Sequence, residues 1–124
     1  MNISQLVRGN PQDISNAIWA MATVGLKATS LVSAIDTNEV VKKLLNAYPQ
    51  DVSTTLWALA TLGVTSSKLA SAIDTKDVAE KLAREGEPQE ISNMVWALAT
   101  MGAETRNLGS EVDREGVVQK VRAG

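Results

Sequence analysis

Apolar residues along this chain follow a helical rhythm that comes back at a fixed distance. Over Pro11 to Gly25, the residues Ile14, Ala17, Ile18, Met21 and Val24 recur at spacings of three and four. On a helix turning about 100° per residue they form one apolar face. The same pattern returns over Pro49 to Gly63 and again over Pro88 to Gly102. The three copies read PQDISNAIWAMATVG, PQDVSTTLWALATLG and PQEISNMVWALATMG. A period of this size marks a repeat array, in which each unit buries its apolar face on its neighbours.

Each copy is punctuated as a helix. Asn10 is placed to cap the first, and Pro11 stands at the first helical position, where a missing N–H costs nothing. Asp13, Asp51 and Glu90 fall in the first turn, where the helix dipole favours an anion. Gly25, Gly63 and Gly102 follow the last turn, where a left-handed residue ends a helix.

Beyond each glycine a second rhythm begins, with Leu31 and Ile35 at helical spacing and a phase slip before Val40. The run Asp36-Thr37-Asn38-Glu39 predicts a new helix start, with Asp36 as its cap and Glu39 reaching back. Asp74 to Asp77 repeats the run, and Asp113 repeats the cap alone because Gly116 replaces the acid. Each repeat is therefore expected to hold a long helix, a short helical turn and a second helix such as residues 39–46. A single kinked helix from about Ser30 is the competing reading. Lys42, Lys43, Lys81, Arg84, Lys120 and Arg122 fall late in the second helices, where cations suit the dipole.

Residues 1–10 look like the end of an earlier repeat, since Ile3, Leu6 and Val7 share register with Val41, Leu44 and Leu45. This partial repeat is either an N-terminal cap or the edge of a longer array. Repeats then occupy 11–48, 49–87 and 88–124, and the extra residue of the second falls in the linker Arg84-Glu85-Gly86-Glu87. The fold expected is all-α: a short right-handed α-solenoid of three helical-hairpin repeats with a partial leading repeat.

Composition narrows the chemistry. The 124 residues carry a formal charge of -2 and contain no histidine and no cysteine. The commonest general base and the thiol nucleophile are both missing, and so are the usual transition-metal ligands. Ser15, Ser53 and Ser92 have no base to activate them and are expected to bond the preceding turn. Asp36, Asp74 and Asp113 do not converge on a metal, and the lone glycines form no phosphate loop. No cofactor and no enzymatic activity are expected. No apolar run approaches the roughly 18 residues of a membrane span, and residues 1–5 do not resemble a signal or transit peptide.

What remains is the polar side of the long helices. Gln12, Asn16, Trp19 and Thr23 share it in the first copy; Gln50, Thr54, Trp57 and Thr61 in the second; Gln89, Asn93, Trp96 and Thr100 in the third. Two readings of the tryptophans stand. Each ring wedges between repeats with its N–H bonded to a neighbour, or the rings line an open face that anchors a protein or stacks on nucleobases. The glutamines either close one repeat onto the next by a helix-start hydrogen bond or read a partner. Asn16, Thr54 and Asn93 vary inside a constant frame, where a modular reader would carry specificity.

The motif PQ-acid-x-S-x-x-x-W-A-x-A-T-x-G on this period resembles the octotricopeptide repeat, along Pro11 to Gly124. The resemblance implies paired antiparallel helices and, in many members, RNA binding in chloroplasts or related organelles, with Asn16, Thr54 and Asn93 facing the nucleotides and Gln12, Gln50 and Gln89 beside them. Three repeats would read only about three nucleotides, too few for useful specificity, and the chain is acidic. The function expected is accordingly a non-catalytic interaction module. It would be a small structural or assembly subunit of an organellar complex, in the chloroplast rather than the mitochondrion, with photosystems as candidates. The alternative is an organellar reader of single-stranded RNA or a fragment of one.

Overall fold

The computed structural model describes residues 2–113, and among them every regular element is a helix. In chain order these are α1 (Ile3–Val7), α2 (Pro11–Thr23), α3 (Thr29–Ile35), α4 (Asn38–Leu45), α5 (Pro49–Thr61), α6 (Lys68–Ile73), α7 (Lys76–Glu85), α8 (Pro88–Met101) and α9 (Arg106–Asp113). A long, a short and a second helix alternate as α2-α3-α4, then α5-α6-α7, then α8-α9. The short helices are separate elements, so the kinked-helix reading does not hold. The second helix expected after Asp113 lies outside the described residues.

The long helices start and stop as their sequence dictates. Asn10 accepts from the Asp13 N–H at 2.9 Å, and proline opens α2, α5 and α8. Gly25, Gly63 and Gly102 adopt φ of 74°, 81° and 74°. After each, the chain bonds back into the last turn: Leu26 N–H to Met21 C=O, Val64 N–H to Leu59 C=O and Ala103 N–H to Leu98 C=O. These bonds satisfy carbonyls that a helix end would otherwise leave bare.

The caps of the second helices lie one residue later than expected, while α4 itself begins at Asn38, one residue before the expected 39. Thr37 and Thr75, with extended backbones, cap α4 and α7 by accepting from Val40 and Val78. Asp36 and Asp74 have non-extended backbones and reach outward instead. Asp36 Oδ1 accepts from Lys68 N–H at 2.8 Å. Asp74 Oδ1 accepts from Asn107 N–H at 2.9 Å, and its carbonyl accepts from Asn107 Nδ2. Each aspartate thus holds the first turn of the short helix in the following repeat. The lysines also act across the junction, beyond any effect on their own helix. Lys43 Nζ donates to the carbonyls of Val7 and Gly9, at the end of α1. Lys81 Nζ donates to the Leu45 carbonyl, the last residue of α4.

The extra residue of the second repeat lengthens a helix and does not simply sit in the linker. Arg84 and Glu85 belong to α7, which ends two residues further on than α4 does in repeat register. Gly86 follows because nothing larger fits: a Cβ there would stand 2.7 Å from the Leu82 carbonyl oxygen and 2.8 Å from Ile91 Cδ1.

The backbone contacts run in a row. α5 lies between α2 and α8, while α1 meets α3, α4 meets α6 and α7 meets α9. In this arrangement α1 stands where a second helix of a preceding repeat would stand. The apolar core is continuous, from Ile14, Ile18 and Leu31 through Leu44, Leu56 and Ile73 to Ile91, Met94, Leu98 and Leu108. Val24 is the exception to the predicted apolar face, at 67% exposure.

Replacing Gly63 by valine is expected to lower stability by at least about 1–2 kcal/mol, because a side chain resists the left-handed backbone even where space is open. Asp36→Ala is expected to cost about 1 kcal/mol by freeing the Lys68 N–H. Urea melts check both; unchanged midpoints would contradict the cap and the inter-repeat bond respectively.

Candidate interaction face

Each long helix has two side stripes and one open stripe. The backward stripe, toward the preceding repeat, is Asp13, Ala17, Ala20 and Val24 in α2. In α5 it is Asp51, Thr55, Ala58 and Leu62, buried except for half-buried Leu62. The forward stripe carries Ser15 and Ala22 in α2, and Ser53 and Ala60 in α5, all buried. Small residues on both stripes let neighbouring helices approach closely. Ser15 Oγ lies 3.1 Å from the Gln12 carbonyl and 3.3 Å from Asp51 Oδ1. The hydroxyl therefore joins its own preceding turn to the next repeat. Asp51 is only 8% exposed. It sits in the first turn of α5, where the amide ends of the helix favour its charge. Glu90, one methylene longer, turns its carboxylate to the Glu87 N–H at 2.7 Å.

The open stripe is the predicted polar side. Gln12, Gln50 and Gln89 are all exposed, so they do not close one repeat onto the next. The one side-chain hydrogen bond among them runs within α8, from Gln89 Nε2 to Asn93 Oδ1 at 3.1 Å. Asn16 is exposed, and Thr54 and Asn93 are half-buried. Trp19 is 47% and Trp96 49% exposed, whereas Trp57 on the central helix is half-buried and packed against the core. No indole N–H has a hydrogen-bond partner among the described residues. Trp57 therefore packs against the core without being fully enclosed, and Trp19 and Trp96 remain open to solvent on about half their surface. Since α2, α5 and α8 lie side by side, three rows of glutamine, asparagine or threonine, and tryptophan share one surface. The nine residues singled out from the sequence all belong to it.

Other surfaces offer less. A groove of about 550 Å³ opens between the C-terminal ends of α2 and α5, lined by Leu26, Val32, Leu62 and Val64 among others. Among the described residues no group of three or more acidic side chains could hold a metal ion, and no helix is long and apolar enough to cross a membrane. What sequence reasoning missed is the direction of each flank: Ala20 and Ala22 both look like small helix-flanking residues, and only the neighbours' positions assign one backward and the other forward.

The exposures rank the tryptophans. Trp57→Ala is expected to cost about 2–3 kcal/mol, below the 3–5 of a fully buried ring, and Trp19→Ala or Trp96→Ala about 1 kcal/mol. Denaturant melts of the three variants check the order; equal losses at all three sites would contradict the placement of the rings.

Set against known proteins, the chain matches no family model, no curated protein and no solved structure.

Proposed function

We propose that this chain is a non-catalytic interaction module: a short right-handed α-solenoid of three helical repeats that docks a protein partner within a larger complex. The observation that carries the reading is the open stripe of α2, α5 and α8. Its glutamines are exposed, Trp19 and Trp96 are about half-exposed and Trp57 half-buried, and no indole N–H has a partner among the described residues. Large amphipathic rings among amides anchor interfaces at low entropic cost. A standard interface takes about 800 Å² per partner, an area three stacked helices can supply. The acidic balance suits a protein surface better than a phosphate backbone, and Lys43 and Lys81 are committed to carbonyls. The resemblance to the octotricopeptide repeat extends the proposal to an organelle, the chloroplast before the mitochondrion, and to photosynthetic assemblies.

One observation favours single-stranded RNA as a second reading. The rings recur once per helix, each with an amide or hydroxyl one turn away, as a base-stacking ladder would need.

Affinity capture from organelle extract, with the wild-type chain and the Trp19→Ala/Trp96→Ala double variant, tests the first reading. A partner held by the open stripe is lost from the double variant while the helix content is kept; equal capture by both removes the stripe from the interface. Titration with short random single-stranded RNAs at about 50 and 200 mM salt separates the second. Micromolar binding with a steep salt dependence would favour RNA over protein, and no binding at the lower salt is the expected result.

A further inference from the structure

The row of long helices ends in two open stripes that are copies of buried ones. At the start, α2 exposes Asp13, Ala20 and Val24, whereas the same positions in α5 and α8 are buried or half-buried. At the other end α8 exposes Ser92 and Ala99, whereas Ser15, Ala22, Ser53 and Ala60 are buried. α1 does not cover the α2 stripe, because it packs mainly on α3. Among the described residues, each open stripe is matched by the stripe at the opposite end of the row.

We propose that the backward stripe of α2 docks the forward stripe of α8 from a second copy of this chain, continuing the row head to tail. The argument is continuity with the interface already inside the molecule. Ser92 would face Asp13 as Ser15 faces Asp51, and Ala99 would approach Ala20 as Ala22 and Ala58 serve the α2–α5 junction. Pairing like ends in parallel would oppose Asp13 with Asp13, and pairing them antiparallel would lose the Ser–Asp register of the α2–α5 junction. The contact is therefore heterologous, and each docked copy leaves one stripe of each kind free for another.

Sedimentation velocity from about 10 μM to about 1 mM, a range that reaches weak association, tests this. The wild-type chain is expected to grow with concentration past the dimer. Ala20→Arg and Ala99→Arg change exposed positions, so each is expected to keep the wild-type circular dichroism and to remain a monomer alone. Mixed together they are expected to form a one-to-one dimer and stop, because one intact stripe of each kind remains. A wild-type chain that stays monomeric to the top of the range overturns the proposal. So does growth that survives in either variant, or a mixture that does not pair.

Discussion

Side-by-side contact of α2, α5 and α8 is the constraint from which the other features follow. Three helices of similar length can approach closely only if their flanks are small, and alanine and serine hold those positions in each copy. Close approach then buries one carboxylate, Asp51, which is tolerated because Ser15 from the neighbouring repeat and the amide end of α5 both meet it. It also leaves the third side of each long helix largely outside the core, with Trp57 of α5 the residue of that side that packs against it. The amides and rings on that side are exposed by geometry, and the proposed function uses what the geometry leaves over.

A second layer of contacts couples the repeats away from the long helices. Asp36 and Asp74 satisfy first-turn amides one repeat ahead, and Lys43 and Lys81 satisfy last-turn carbonyls one repeat behind. Each bond spans a junction, so none can form in an isolated repeat. Short helices of six to eight residues are marginal alone, since the cost of nucleation is spread over few bonds. The starts of α6 and α9 are held from outside the repeat by Asp36 and Asp74, whereas α3 has no side-chain cap and rests on its packing beside α1. On the proposed solenoid reading, stability is a sum of repeats and junctions, with the middle repeat owning two junctions and the outer ones one each.

Much of this was legible in the sequence. Proline and glycine punctuation fixes the long helices because only particular residues tolerate those backbone positions. The periodicity of Ile14, Ile18 and their copies identifies the buried face. The polar stripe was legible by subtraction. The aspartates were harder, because an acid before Thr-x-x is the same signal whether it caps its own helix or reaches the next repeat. The choice is made by the backbone at Asp36, which leaves the extended cap geometry to Thr37. Lysines late in a helix are similarly ambiguous between their own dipole and a neighbour's carbonyl. The period says that the tryptophans recur, but their depth depends on neighbouring helices whose spacing no single repeat encodes. Val24 shows the same limit: it continues the apolar rhythm yet is exposed, because no described element packs on that stripe of α2.

Native-state hydrogen exchange read helix by helix tests the coupling most directly. The account predicts that amides of α5 exchange slowest, at or near the rate set by global unfolding. Those of α2 and α8 should exchange faster, because each has one flank open. Equal protection across the three long helices, or greater protection at α2 or α8 than at α5, would contradict a row held together by its junctions.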